Sequence, residues 1–361
     1  SDPGDPGAAG SAGSVLVDGV TIARVTLNQA VEVPLSPAGG RSELPDGAQT
    51  PIVAGRPGLL RVYVQPEPGF AARAVRVAVT IDNGVGERTY DSVLRLIDAS
   101  QPGDLDSTAN VALPAALVTP RSQVRVAIYE TDPRFAGTKT LPPGARWPST
   151  GAFADLGAGE NGGALRLRLV PLLYGADGSG RAPDTSADQI AEYRDAVRRL
   201  FPVTDVVVTV QDPVWFDARV LSSGAGWSDA LYALTDLRDD LALPADEYLY
   251  GLIVPGADFG AYCRTSCVAG LSWRADDATA SWARTSVGLG YTGTDSADTL
   301  THELGHAHGR AHTPCGSPAD PDPDYPRADG LVGGVGWDIV DSVLVPEEGT
   351  GDLMGYCRPR W

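Results

Sequence analysis

The spacing of apolar and polar residues changes character near the middle of the chain. In the first part, short apolar segments alternate with turn residues; residues 75–81 form a β-rich stretch that an Asp-Asn-Gly turn follows at 82–84. Residues 59–64 and 124–129 share this pattern, and no helical period lies between them. Many short strands at this spacing are typical of a β-sandwich. We therefore predict an immunoglobulin-like sandwich over residues 15–140.

Two stretches with little apolar pattern flank this predicted sandwich. Residues 1–14 are small and polar, and we expect them to form a flexible leader. Residues 141–163 are rich in proline and glycine, which predicts a linker.

The second part of the chain alternates strand-like and helix-like patterns. Amphipathic periods at 187–200 and 227–243 predict two helices. Between and after them lie apolar segments that predict strands, at residues 165–170, 206–210, 248–254, 268–273 and 286–289. Alternating strands and helices indicate an α/β sheet packed on helices, so we assign residues 164–361 to a second, α/β domain.

Composition limits the classes of partner. The net charge of −18 argues against nucleic acid and anionic membranes as partners. No apolar run is long enough to span a membrane. The chain begins with a tract of small residues and no starting Met, as a mature N-terminus behind a removed export signal would, and its four cysteines fit an oxidising compartment. We expect a secreted or cell-surface protein.

All four histidines lie within eleven residues and form one motif. The segment from His302 to His312 reads H-E-x-x-H-x-x-G-x-x-H, a signature of zinc peptidases. On a helix, His302 and His306 share one face and can bind one zinc ion. Gly309 can end the helix in a left-handed conformation, so that the chain turns back and brings His312 as third ligand. Three protein ligands leave the fourth position for water, as in catalytic zinc sites.

Glu303 and the remaining histidine of the motif have different expected roles. Glu303 stands beside the ligand pair and can take a proton from the attacking water, so we expect it to be the general base. His308 lies about 200° around the helix from His306 and should point away from the metal.

With these residues the sequence resembles the metzincin metallopeptidases, over roughly residues 165–361. A methionine turn beneath the zinc site is their second hallmark, and the single methionine, Met354, follows His312 by 42 residues. The resemblance implies that Met354 forms an apolar floor under the imidazoles, and that Tyr356 stabilises the oxyanion as in astacin-like and serralysin-like members. Thr313 and Gly355 depart from the better-known subfamilies, so the subfamily stays unassigned.

The resemblance also implies that an edge strand holds the substrate by backbone hydrogen bonds, and residues 268–273 are our candidate. An ordinary internal strand is the alternative interpretation.

Four cysteines allow three disulfide connectivities. Cys315 and Cys357 follow the third histidine and the methionine by three residues each, so a bond between them would join both segments near the zinc. Cys263 and Cys267 would then close a small loop. A four-thiolate zinc site and a cysteine that blocks the zinc in a latent form are the alternatives that we keep open.

An acidic stretch follows the motif. Asp320, Asp322 and Asp324 alternate with prolines, and calcium would suit such carboxylates. No EF-hand pattern is present, so a solvated acidic loop is the favoured interpretation.

Together these features predict a multidomain protein in which an immunoglobulin-like sandwich precedes a metzincin-type catalytic domain. The expected function is that of a secreted bacterial zinc endopeptidase. One alternative is a metalloprotease directed at glycoproteins or mucins. Another is a non-catalytic adhesion protein that retains a zinc site, although a pure binder would not need Glu303.

Overall fold

A computed structural model of the chain describes residues 15–37, 50–135, 143–159 and 163–361. The predicted leader, residues 1–14, lies outside the described residues. The chain divides into two compact units: the first comprises Ser1–Asn161 and Val335–Leu344, and the second comprises Gly162–Gly334 and Val345–Trp361. The described part is mostly β-sheet and contains four α-helices.

The first unit contains two antiparallel sheets. One sheet has the strand order β2-β1-β4-β7; the other has the order β10-β8-β5-β6, with β9 also paired to β8. The short strands β3 and β11 pair in parallel. The strands of this part of the unit are β1 (Val20–Asn28), β2 (Glu32–Pro34), β3 (Ile52–Val53), β4 (Gly58–Pro66), β5 (Arg73–Asp82), β6 (Glu87–Leu96), β7 (Ala109–Leu113), β8 (Gln123–Glu130), β9 (Arg146–Trp147), β10 (Ala154–Asp155) and β11 (Ala158–Gly159).

The core of the first unit follows from the alternation in its strands. On β5, the side chains of Val75, Val77, Val79 and Ile81 are fully buried. Successive side chains of a strand point to opposite faces, so these four alternate residues all lie on the inner face of β5. There they join apolar side chains of both sheets in one hydrophobic cluster. The two sheets therefore share one core, as in a β-sandwich.

Residues 141–163 differ from the linker that the sequence predicts. Strands β9, β10 and β11 lie in this stretch and pair with β8 and β3. Trp147, Ala154 and Leu156 are buried in the core of the first unit. The prolines and glycines here separate short paired strands, and their number alone does not distinguish such turns from a flexible spacer.

A second difference concerns residues 335–344, which the sequence pattern assigns to the second domain. They group with the first unit. Strand β18 (Gly336–Asp338) pairs with β19 (Val343–Val345), and the backbone N–H of Trp337 donates to the carbonyl of Ala30 at 2.8 Å. This contact joins residues some 300 positions apart, which a local pattern does not indicate.

The second unit is built on a six-stranded sheet. Its strands are ordered β13-β12-β15-β17-β16, and β14 pairs with the C-terminal end of β12. All the pairings are parallel except that of β16, which runs antiparallel to β17 at one edge. The strands are β12 (Leu165–Tyr174), β13 (Val206–Val210), β14 (Val214–Phe216), β15 (Glu247–Ile253), β16 (Gly270–Ser272) and β17 (Thr285–Leu289).

Helices cover both faces of this sheet. Helices α1 (Ala187–Leu200) and α4 (Thr294–Ala307) contribute to one apolar cluster, and α2 (Trp227–Asp240) contributes to the other. Strand β12 reaches both clusters because it is apolar on both faces, as expected of a central parallel strand. The short helix α3 (Phe259–Cys263) precedes the edge strand. The predicted strands and the two predicted helices are present, although the second helix ends at Asp240.

Both disulfides that we favoured from the sequence are present. Cys263 bonds to Cys267, and Cys315 bonds to Cys357. Because all four cysteines are paired, a thiolate zinc site and a latent form held by a free cysteine do not apply to this structure. None of the described helices is long and apolar enough to cross a membrane.

Candidate metal centre

Helix α4 carries the first part of the centre. Leu300 and Leu304 are fully buried and pack the helix against the sheet and α1. On the same helix, His302 and Glu303 are also buried, and His306 is partly buried. The apolar side chains therefore fix the helix in place, and the spacing of four residues puts the two imidazoles one turn apart.

Gly309 lies just after α4. Its φ of +86° is a left-handed conformation that L side chains rarely adopt, and a Cβ atom there would lie 2.8 Å from the carbonyl oxygen of Ala275. The chain turns back after this residue, and His312 returns to the helix. Its imidazole Nε2 lies 3.1 Å from Nε2 of His306.

The three histidines form one group. A ligand nitrogen of each of His302, His306 and His312 lies within 4.8 Å of the others, and among the described residues these three alone form a cluster that could hold a metal ion. In a tetrahedral zinc site, ligand nitrogens at about 2.0–2.1 Å from the ion lie about 3.3 Å apart. The observed separation of His306 and His312 is close to that value.

Hydrogen bonds from the other ring nitrogen set the tautomer of each imidazole. Nδ1 of His302 lies 2.9 Å from the carbonyl of Leu353, Nδ1 of His306 lies 2.7 Å from that of Arg310, and Nδ1 of His312 lies 3.1 Å from that of Ala319. A carbonyl only accepts, so each Nδ1 carries the proton and each Nε2 of a neutral ring presents a lone pair. Three converging lone pairs fit a divalent cation, and a hydrogen bond from the other ring nitrogen to a carbonyl is typical of metal-binding histidines.

Burial supports the neutral state of two of these rings. Loss of hydration lowers the pKa of His302 to about 3 and the pKa of His306 to about 4, so both are unprotonated near pH 7. Burial raises the pKa of Glu303 to about 8, because little water remains to solvate its carboxylate. A cation at the histidines would oppose this rise, since a nearby opposite charge favours the ionised form.

Met354 lies beneath the centre. It is buried, and a Cβ atom at Gly305 of α4 would overlap its Sδ. The turn that holds it is closed by Asp352, whose carboxylate accepts from the N–H of Met354 and whose carbonyl accepts from that of Gly355, both at 2.8 Å. The thioether thus fills a space that exists because residue 305 has no side chain.

Tyr356 stands at the open side of the centre. Its hydroxyl lies 3.3 Å from Nε2 of His312, and the side chain is 52% exposed. Partial burial and the nearby charge of Glu303 raise its pKa, so it remains protonated near neutrality. The backbone N–H of Tyr356 donates to the carbonyl of Cys315 at 2.8 Å, and the bond from Cys315 to Cys357 closes the same region.

The edge strand β16 touches the acidic residue of the motif. A Cβ atom at Gly270 would lie 2.6 Å from Oε1 of Glu303 and 2.7 Å from its Cγ. The carboxylate therefore rests against the backbone of β16 at a position where only glycine leaves room. Neither Gly270 nor Gly305 is identified as a site residue from the sequence. Gly305 lies inside the histidine motif, which is a signal that points to it. No residue pattern around Gly270 indicates its contact with Glu303.

His308 and the acidic stretch stay apart from the centre. The ring of His308 stacks on Tyr248 with centroids 4.7 Å apart, and its nitrogens lie 3.0 Å from the hydroxyl of Tyr248 and 2.7 Å from the carbonyl of Leu304. The carboxylates of Asp320, Asp322 and Asp324 do not converge with other ligands in the described structure. Instead, the N–H of Asp322 donates to the carbonyl of His312 at 2.7 Å and supports the third ligand.

Comparison with known proteins adds nothing to this description: no protein-family model matches the chain, and no curated protein matches it. The interpretation of the centre therefore rests on the residues themselves.

Gly305→Ala tests the contact with Met354. In an unconstrained helix this change adds about 1 kcal/mol of stability. Here the new methyl would overlap Sδ of Met354, and overpacking costs about 1–3 kcal/mol, so we expect a net loss in the free energy of unfolding. Denaturant unfolding of Gly305→Ala, Met354→Ala and the double variant measures the coupling. We expect the double variant to lose less free energy of unfolding than the two single variants lose together. A Gly305→Ala variant that is more stable than the wild type would refute the contact.

Proposed function

We propose that the chain is a secreted zinc-dependent endopeptidase of the metzincin type. The observation that carries this proposal is the convergence of three imidazole nitrogens next to the buried carboxylate of Glu303, which lies on the same helix as His302 and His306. Three histidine nitrogens are a usual ligand set for catalytic zinc, and they leave one position for water. Two disulfides are compatible with an extracellular protein and support secretion.

In this proposal, His302, His306 and His312 would hold the zinc ion. When bound, zinc supplies a Lewis acid that lowers the pKa of a water molecule and polarises the substrate carbonyl. Glu303 takes the proton as the water oxygen bonds to the carbonyl carbon. It then gives that proton to the amine nitrogen when the C–N bond breaks, so no external acid is needed.

Tyr356 and β16 would act on the substrate. The Tyr356 hydroxyl lies beside His312 and is protonated, so it can donate a hydrogen bond to the oxygen that becomes negative in the transition state. Strand β16 is an edge strand, and its free side can accept an extended peptide as an added strand. Because Gly270 of β16 touches Glu303, a peptide bound there would pass close to the general base.

We infer that the first unit has immunoglobulin-like topology. Its first sheet joins β1, β4 and β7, and its second joins β6, β5, β8 and β10. Assigned as strands A, B and E and strands C′, C, F and G, this partition is that of an immunoglobulin-type sandwich.

Glu303→Gln tests the proposed chemistry. The amide has the shape of the carboxylate but takes no proton, so we expect cleavage to fall by about 10²–10⁴-fold while zinc binding persists. Mass-spectrometric mapping of new peptide termini in a mixture of secreted proteins measures cleavage, and metal analysis measures zinc. The control His308→Asn removes a histidine outside the centre and should cleave as the wild type does. Equal cleavage by Glu303→Gln would refute the proposal.

Gly270→Ala tests the placement of the general base. The added methyl would displace the Glu303 carboxylate without touching the zinc ligands, and small misplacements of a catalytic group cost up to about 10²-fold. We expect kcat/KM to fall at least about tenfold, with one zinc ion still bound. Gly159→Ala, also a strand glycine but with open space at its Cβ position, is the matched control. Unchanged kcat/KM for Gly270→Ala would show that β16 does not position Glu303.

A further inference from the structure

The second sheet of the first unit carries a groove on the face that points away from its core. Because Val75, Val77 and Val79 of β5 point inward, Arg76, Ala78 and Thr80 point outward. On the neighbouring strand β8, the outward residues are Arg125, Ala127 and Tyr129. Ala78 and Ala127 are directly paired, and their short side chains leave a depression between the longer ones.

Strands β5 and β8 form two walls of this groove, and described residues of the 141–163 stretch form the third. Strand β9 pairs with β8 and places Arg146 opposite Ala127. The Arg146 side chain lies over Gly151, where a Cβ atom would be 3.4 Å from its Cδ and Nη1. Together with Thr150, these residues line an open groove of about 450 Å³, within the range of about 300–1,000 Å³ typical of small-ligand sites.

Two of the three arginines are held in place by neighbours. Arg76 pairs with Asp91 at 2.6 Å and lies 4.3 Å over the ring of Tyr129. Arg125 pairs with Glu87 at 3.0 Å and lies 4.4 Å over the ring of Phe153. These contacts orient both guanidinium groups beside the groove.

Arg146 differs from the other two. In the part of the chain that the structure describes, no carboxylate lies within 4 Å of its guanidinium. The residue is partly buried at the wall of the groove. A guanidinium in this position has donors for a planar or tetrahedral anion, and none of the described carboxylates pairs with it, in a protein whose net charge is −18.

The remaining lining is polar. Thr80 and Thr89 lie side by side with hydroxyls 3.0 Å apart, and Thr150 adds a third hydroxyl. Hydroxyl groups both donate and accept, which suits a ligand that carries many hydroxyls. The methyl groups of Ala78 and Ala127 contribute to the floor. The groove therefore favours a ligand that combines a negative charge with hydroxyl groups.

We propose that this groove binds an acidic saccharide, with Arg146 bound to a carboxylate or sulfate of the sugar and the threonines bound to its hydroxyls. The inference does not depend on the zinc centre. If the proposed peptidase function also holds, the groove would direct the enzyme to substrates that carry sialylated or sulfated glycans.

The test measures saccharide binding by the intact chain in the Glu303→Gln background, so that cleavage does not interfere. Titration calorimetry uses 3′-sialyllactose, a sulfated disaccharide, neutral lactose and sodium sulfate as probes. We expect at least one acidic saccharide to bind about tenfold more tightly than both lactose and sulfate, because a charge-assisted bond adds to the hydroxyl contacts.

Variants locate the binding. Arg146→Gln removes the charge proposed to bind the acidic group, and Ala127→Phe fills the depression while keeping all three arginines in the sequence; each should weaken binding at least about tenfold. Arg95→Gln is the matched control, because Arg95 is an exposed arginine of the same sheet that does not line the groove. Unchanged thermal unfolding verifies that each variant folds.

Three results would overturn the proposal: binding of neither acidic saccharide, binding that survives both Arg146→Gln and Ala127→Phe, or sulfate alone binding as tightly as the saccharides. The last result would identify a general anion site. A preference for sialyllactose or for the sulfated sugar would identify which acidic group the groove accepts.

Discussion

Two histidine nitrogens with unshared electron pairs lie 3.1 Å apart in the second unit, where both Nδ1 atoms already face backbone carbonyls. Neutral rings in this state would repel each other, and burial disfavours the protonation of His306 that would relieve the repulsion. A cation between the nitrogens removes the conflict. The other contacts of the centre hold the rings of His306 and His312 at this short distance despite their repulsion.

Those contacts come from separate parts of the second unit. The helix α4 is fixed by its apolar face, the loop to His312 is fixed by Gly309 and by the N–H of Asp322, and the turn below is fixed by Asp352. The bond between Cys315 and Cys357 covalently joins the loop to the turn. Ligands supported in this way move little when a metal binds, which is how a rigid scaffold increases metal affinity.

The sequence predicts those features that depend on local spacing. The period of apolar residues locates the strands and the main helices, and the histidine spacing predicts the three-histidine group. The disulfide pairing follows because Cys315 and Cys357 stand near segments already expected to meet.

Features that depend on contacts between distant residues were not predicted. The strands in 146–159 pair with β8 and β3, residues 335–344 bind to the backbone near Ala30, and Gly270 leaves room for a carboxylate 33 positions away. None of these contacts leaves a periodic signal, since each depends on the final approach of two backbones. The saccharide groove is of the same kind, because its three walls come from strands that only the fold brings together.

The proposal that the three histidines hold one zinc ion is tested most directly by X-ray absorption at the zinc edge. The measurement is combined with metal analysis and made on the protein refolded with one equivalent of zinc. We expect one zinc ion per chain with three imidazole nitrogens at about 2.0–2.1 Å and one oxygen ligand, and loss of this signal in His302→Ala. A coordination shell that is unchanged in His302→Ala, or no bound zinc in the wild type, would contradict it.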